Sequence, residues 1–311
     1  MFLEDKNIGI MMGGCSCERA VSLKSGSAVA RVLETAGYRV ALLDIRRETE
    51  QEVEAFIRQH HIDVVFIAMH GGFGEDGRLQ RILDKLEVSY TGSSSQASRI
   101  AMDKLASRVI FEGANLSVPK YIKLDRKDKV PAVDGLQYPL VVKPSGQGSS
   151  IGISFVDSAA GVQKAVGEAF GFDDIVLIEE FIRGREITVA ILDGQPLPVV
   201  EIIPKSGFFD YRSKYEQGLT NYVSPAFLSK GLTEQIQTCA LDAYHALGCR
   251  HFARVDMIVR SGYAPFILEV NTIPGLTQTS LFPKAAQAAG IGFDQLCVKL
   301  IHLALSDFAR R

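Results

Sequence analysis

The stretch Arg254 to Gly275, RVDMIVRSGYAPFILEVNTIPG, carries charged residues where a strand pair normally buries apolar ones. It reads as a β-hairpin in which a four-residue loop, Ser261 to Ala264, joins the strands. Positions with a constant sum then face each other, so Asp256 lies opposite Glu269 and Arg254 opposite Asn271. Side chains alternate with period 2, so all four share one face and Val255, Met257, Val259, Leu268 and Val270 share the other, toward a core. Directly opposed residues have Cβ atoms roughly 5 Å apart, and like charges there destabilise a sheet unless something positive lies between them. A hard cation such as Mg²⁺ meets that need, since Asp, Glu and Asn offer oxygen ligands and substrate phosphates usually complete the shell. The plainer alternative is a solvated face with Arg254 paired to a carboxylate. Acidic residues are depleted from strands, which weighs toward the cation.

A chain of 311 residues, 47% hydrophobic and 23% charged, can build two or three domains with a sizeable core. The net charge of -2 gives no basic footprint for nucleic acid. The opening Met-Phe-Leu-Glu-Asp-Lys lacks the apolar run of a signal peptide, and no stretch approaches the roughly 20 apolar residues that span a bilayer. A cytoplasmic protein without membrane partners is expected. Its five cysteines are odd in number and scattered, so they predict reduced thiols, Cys15 and Cys17 included, rather than a disulfide framework.

From Asn7 onward strand and helix alternate: Ile8 to Met12, a helix near Glu18 to Thr35, Arg39 to Ile45, a helix near Glu50 to His60, then Ile62 to Met69. Such alternation predicts a doubly wound parallel sheet with ligands beyond the carboxyl ends of its strands. Two glycine-bearing loops lie there, GGCSCERAVSLKSG (Gly13 to Gly26) and HGGFGEDG (His70 to Gly77). Ser16 and Asp76 are the expected N-caps of the following helices. Glu18 reads either as a ligand group or as a first-turn complement to the helix dipole, and His70 either as a ligand group or as a polar strand end. The polar run SSSQAS starts a further helix, with Lys104 inside one that reaches about Gly113.

YPLVVKPSGQGSSIGISFV, Tyr138 to Val156, predicts a hairpin whose first strand ends in Lys143 and whose tip holds Gly146, Gly148, Ser149 and Ser150. The lysine precedes the glycines, which excludes the Walker A order. The expected role is a flap whose backbone N–H groups fold over phosphates; the bland reading is a long turn. DIVLIEEFI, Asp174 to Ile182, is a strand turning polar at Glu179 and Glu180. Strands over Ile187 to Leu192 and Leu197 to Ile203 make the second half α+β. Between Pro204 and Pro225 no period is visible, and the aromatics Phe208, Phe209, Tyr211 and Tyr215 clustered there suggest a lid. Helices follow at Thr233 to Leu247 and Phe293 to Phe308.

Six stretches in order, GGCSCERAVSLKSG, HGGFGEDG, KPSGQGSSIG, DYRSKY, ARVDM and LEVNTIPGLTQTS, resemble those of the D-alanine:D-alanine ligases of the ATP-grasp superfamily. The likeness runs nearly end to end. It implies a doubly wound N-terminal substrate domain over 1–92, a central ATP-binding domain over 93–182 with the phosphate flap, and a C-terminal ATP-grasp domain over 183–311 with a lid at 204–225. It implies homodimers, and a reaction in which ATP phosphorylates one D-alanine and the amine of a second attacks the acyl phosphate, making a dipeptide for peptidoglycan precursors.

On this resemblance Asp256, Glu269 and Asn271 hold two Mg²⁺ ions, with Mn²⁺ able to substitute, while Lys104, Lys143 and Ser150 contact the phosphates. Glu179, Glu180 and Ile182 lie against adenine and Glu186 against the ribose. The family often has Lys and Trp where this chain has Glu180 and Phe181, so a carbonyl contact fits at Glu180 better than a side-chain one. Arg254 and the Gly275 N–H form the oxyanion site. Glu18 takes the first ammonium, with His70 beside it, and Lys214, Ser280 and Leu281 surround the second substrate. Glu18, Ser149 and Tyr215 form a triad that closes the lid, and a tyrosine at 215 goes with an amine acceptor. Two other readings share parts of this pattern: another ATP-grasp carboxylate-amine ligase, and a non-catalytic nucleotide-binding module.

Overall fold

The computed structural model describes residues 5–130, 132–148, 150–205, 218–262, 264–277 and 279–308. Among these residues three sheets follow one another in sequence. The first is parallel, in order β2-β1-β3-β4, from β1 (Asn7–Gly13), β2 (Arg39–Ile45), β3 (Val64–Ile67) and β4 (Ser89–Tyr90). One face packs on α1 (Arg19–Thr35) through Ile8, Ile10, Val29 and Leu33. The other packs on α2 (Glu50–His60) through Met11, Val65, Val53 and Phe56, as a doubly wound sheet requires.

Short helices α3 (Gly72–Glu75), α4 (Arg78–Lys85), α5 (Ser95–Met102) and α6 (Lys104–Gly113) lead out of this sheet. Ser94 caps α5 by accepting from the Ala97 N–H, and Asp103 caps α6 by accepting from Leu105 and Ala106. Asp103 is itself extended, at φ -85° and ψ 105°, so it ends one helix, starts the next and presents Lys104 as the first helical residue. The two caps expected further upstream differ. The residues before α1 and α4 are Glu18 and Gly77, neither with a side-chain cap bond. Ser16 Oγ instead accepts from the Glu18 N–H and donates to the His70 carbonyl, while Asp76 accepts from the Arg78 N–H.

The second sheet is antiparallel, β5-β8-β6-β7, from β5 (Tyr121–Asp125), β6 (Leu140–Pro144), β7 (Ser154–Val156) and β8 (Ile175–Glu180). Its core of Leu140, Val142, Val176 and Ile178 is covered by α7 (Ala159–Ala169). The third has order β12-β11-β9-β13-β14, with β10 on β9. Its strands are β9 (Arg185–Leu192), β10 (Gln195–Pro196), β11 (Val200–Pro204), β12 (Thr220–Val223), β13 (Phe252–Val259) and β14 (Phe266–Asn271). Part of the stretch expected to be irregular is therefore strand: Thr220–Val223 pairs with β11, Glu201 opposite Val223. The helix α8 (Lys230–Ala246) packs under this sheet against Val189, Val255 and Met257. Helix α9 (Leu281–Ala288) covers its other side, and α10 (Phe293–Phe308) seats Leu296, Leu300 and Ile301 in the core of the first sheet. No single helix among the described residues is long and apolar enough to cross a membrane.

Candidate active site

The hairpin of β13 and β14 has the anticipated register at its charged end: Arg254 pairs with Asn271 and Asp256 with Glu269. Beyond that point a bulge shifts the register by one, so Met257 faces Ile267 rather than Leu268. The extra residue re-aims its neighbours. Ile267 is fully buried in the core, whereas Leu268 is half-buried and lines the same cleft as Asp256 and Glu269. The expectation that Leu268 faces the core is corrected: strict alternation assigns it inward only if no residue is inserted.

The facing carboxylates are each met by a cation. Arg254 Nε and Nη2 donate to the two oxygens of Asp256 at 2.8 and 2.7 Å, and the Thr188 hydroxyl donates to Asp256 Oδ1 at 2.6 Å. Lys104 Nζ lies 3.4 Å from Glu269 Oε2 and also donates to the Gln147 carbonyl. Asn271 Oδ1 accepts from the Ile273 N–H at 3.2 Å. The donor set is oxygen throughout, two carboxylates and an amide on one hairpin face, which fits a hard divalent cation that keeps phosphate ligands.

A cleft of about 790 Å³ lies between the second and third sheets. Of the anticipated nucleotide residues it is lined by Lys104, Lys143, Ser150, Glu180, Ile182 and Glu186, together with Asp256 and Glu269. Apolar walls come from Val141, Ile151, Ile153, Phe181, Ile258 and Leu268. Glu179 is absent from that lining. Its side chain points behind the cleft, 2% exposed, with Arg108 Nη2 at 2.6 Å and Lys143 Nζ at 2.8 Å. Alternation along β8 puts Glu179 and Glu180 on opposite faces, and the cleft takes Glu180. Burial pushes the Lys143 amine down to about 8; the neighbouring Arg108 and Lys104 charges push the same way, against Glu179.

A second cavity of about 430 Å³ adjoins the first, lined by Glu18, Glu75, Met102, Lys104, Gly148, Glu269, Asn271 and Thr272. Gly71, at φ +71°, lets the loop after β3 approach this wall: a Cβ there would sit 2.8 Å from Ser16 Oγ and 2.9 Å from Glu18 Oε2. Glu75 is held above the ordinary carboxylate range by burial first and by the nearby Glu18 charge. His70 lies behind the lining. It is 4% exposed, with Nε2 2.9 Å from Ser25 Oγ and Nδ1 3.1 Å from the Ile273 carbonyl. Gly275 follows in that loop, where a Cβ would meet Ser280 Oγ at 2.9 Å. Ser280 accepts from the Thr277 N–H and precedes Leu281, the buried first residue of α9. Ser149, Lys214 and Tyr215 lie outside the described residues.

Sequence reasoning missed Arg108, Ser25, Glu75 and Leu268. Ser25 and Glu75 stand inside quoted motifs and were within reach. Arg108 carried only a weak signal, a charge one helical turn beyond Lys104.

Two antiparallel-rich sheets closing on a cleft, with a glycine-serine hairpin on one and opposed carboxylates on the other, define an ATP-grasp enzyme. The description "D-ala D-ala ligase C-terminus" matches residues 110–302 and "D-ala D-ala ligase N-terminus" residues 46–93. A D-alanine–D-alanine ligase of Syntrophotalea carbinolica is 44% identical over 300 residues, 96% of each chain, and that of Desulforudis audaxviator 45% over 306 residues, 96% of this chain and 98% of its own. The crystal structure of the Bacillus anthracis D-alanine–D-alanine ligase complexed with ATP superposes with a TM-score of 0.87 at 33% identity, covering 98% of this chain and 99% of that one. The VanG D-Ala:D-Ser ligase of Enterococcus faecalis superposes at 0.83 with 31% identity, covering 96% and 99%. The chain belongs to the D-alanine–D-alanine ligase family.

Proposed function

We propose that the chain joins two D-alanines through a D-alanyl phosphate at the expense of ATP, with the larger cleft taking the nucleotide and the smaller cavity the amino acid. The observation that carries this reading is that the two cavities share Lys104 and Glu269, so a phosphoryl group leaving one arrives at the edge of the other. In-line phosphoryl transfer needs positioning and charge neutralisation more than covalent help. Lys104 and Lys143 supply positive charge to the phosphates. The apolar wall around Leu268, Phe181 and Ile182 suits a purine, and Glu186 the ribose hydroxyls.

Asp256, Glu269 and Asn271 would hold Mg²⁺, or Mn²⁺ in its place, in one or two sites. Bound there, the cation neutralises charge on the transferring group. Arg254 then exchanges its carboxylate partner for the oxyanion of the tetrahedral intermediate, joined by the Gly275 N–H, because preorganised donors act best where charge develops. Glu18 takes the ammonium of the first D-alanine. Ser149, Lys214, Tyr215, Ser280 and Leu281 complete the acceptor side and the lid. The three-domain division at about 92 and 182, a homodimer and a cytoplasmic setting belong to the same reading.

Phosphate release from ATP tests it. Release should require D-alanine and divalent cation and should yield D-alanyl-D-alanine in equal amount. Release indifferent to D-alanine, or a product formed with another amine in its place, would overturn the assignment. Light scattering decides the dimer separately.

A further inference from the structure

Arg108, Glu179 and Lys143 form a buried chain of cation, anion and cation behind the nucleotide cleft. Arg108 is 1% exposed and sits on α6 one turn after Lys104; its guanidinium reaches Glu179 Oε1 at 2.6 Å and donates to the Pro119 carbonyl at 3.3 Å. The Tyr121 ring lies under it, 5.4 Å from the guanidinium carbon. Glu179 spends its other oxygen on Lys143 Nζ at 2.8 Å. Only Lys143 reaches the cleft.

We propose that Arg108 is a positioning residue for nucleotide binding: by sharing Glu179, it sets how tightly Lys143 is held away from the phosphates. A carboxylate with one cationic partner would keep the lysine to itself. With a second, rigid partner on Oε1, the lysine is oriented by Glu179 yet can turn to a phosphate without leaving a buried carboxylate unpaired, the costly outcome. Arg108 suits this because its charge never titrates and its fork is fixed by Pro119 and Tyr121. Charged groups facing Lys143 are Glu179 from β8 and Arg108 and Lys104 from α6, with Glu180, Glu186, Asp256 and Glu269 elsewhere on the cleft. The Lys143 amine is depressed first by burial, and the Arg108 and Lys104 charges add to this against Glu179.

The inference rests on the nucleotide reading of the cleft. Its test is the dissociation constant of adenylyl imidodiphosphate with Mg²⁺ measured from pH 6.5 to 9.5. Wild type should bind evenly up to the region of pH 8, where Lys143 loses its proton, and weaken above it. Arg108→Met should bind about three- to tenfold more weakly at pH 7, with its alkaline break moved up by about one unit, because a like charge is gone. Glu179→Gln should move the break down. A purely structural defect does not produce opposite shifts. If Arg108→Met does not fold, Arg108→Gln removes the same charge and should move the break up likewise, whereas Arg108→Lys keeps the charge and should keep the wild-type break. An unmoved break in a folded variant that removes the Arg108 charge overturns the role of Arg108 and leaves the nucleotide reading intact. A wild type that binds no nucleotide at any pH overturns both.

Discussion

His70 Nδ1 lies 3.1 Å from the carbonyl oxygen of Ile273, joining the end of β3 to the loop that leaves the charged hairpin. A carbonyl only accepts, so Nδ1 carries a proton, and Nε2 shares a hydrogen bond with the Ser25 hydroxyl. Ser25 in turn accepts from the Leu276 N–H at 3.4 Å. Both ring nitrogens are committed, and the loop carrying Gly275 is held at 273 and 276. His70→Ala should lower the ligation rate about tenfold to hundredfold, the worth of 1 to 3 kcal/mol for a lost buried hydrogen bond. Nucleotide affinity should change less than about twofold, since the ring lies off that cleft. Steady-state rates beside titration with an ATP analogue test this; an equal loss in both would contradict it.

Neighbouring residues on β14 should behave oppositely because of the bulge. Ile267→Ala opens a cavity in the core and should cost about 2 to 5 kcal/mol in denaturant unfolding. Leu268→Ala should cost about 1 kcal/mol or less yet weaken nucleotide binding about tenfold through lost apolar contact. A large stability loss at Leu268 would place its side chain in the core instead.

Glu269→Gln should abolish nearly all turnover at ordinary Mg²⁺ concentrations while the protein stays folded. Opposed carboxylates alone would predict a more stable variant. Arg254 on Asp256 and Lys104 on Glu269 already relieve that repulsion, so unfolding free energy should stay within about 1 kcal/mol of wild type. Full activity in this variant would remove Glu269 from the cation site.

The Glu75 carboxyl, held above the ordinary carboxylate range by its burial, has a definite pH signature. Between its unfolded and folded values the native state binds more protons, so its contribution to stability is present at low pH and lost as pH rises through the folded value. Glu75→Gln removes this dependence. The variant should gain most in melting temperature over wild type near pH 7.5 and least near pH 4.5. A gain independent of pH would mean that the carboxyl is not perturbed.

Asp256, Glu269, Arg254 and Asn271 were legible because a period of 2 and a facing register need only local geometry. Leu268 was misassigned because a bulge depends on how the strand meets its partners, which alternation does not encode. Glu179 was set against adenine by the family resemblance; one partner of its side chain, Arg108, lies 71 positions earlier and is visible only once α6 packs on the second sheet. The strand Tyr121–Asp125 and the helix Leu281–Ala288 were also unread, the former because only Leu124 in it is deeply buried. His70 was recognised in its motif, but its commitment to Ser25 and Ile273 is tertiary.

Because α10 fills the core of the first sheet, that sheet has its α1-side face completed by residues synthesised some two hundred positions later. A ribosome-bound chain that has made β1 to β4 therefore holds Ile8, Ile10 and Phe66 against α1 alone, with apolar surface awaiting Leu296, Leu300 and Ile301. The N-terminal unit should remain protease-sensitive during synthesis and close only when α10 docks, making the order of translation and the order of consolidation run in opposite directions.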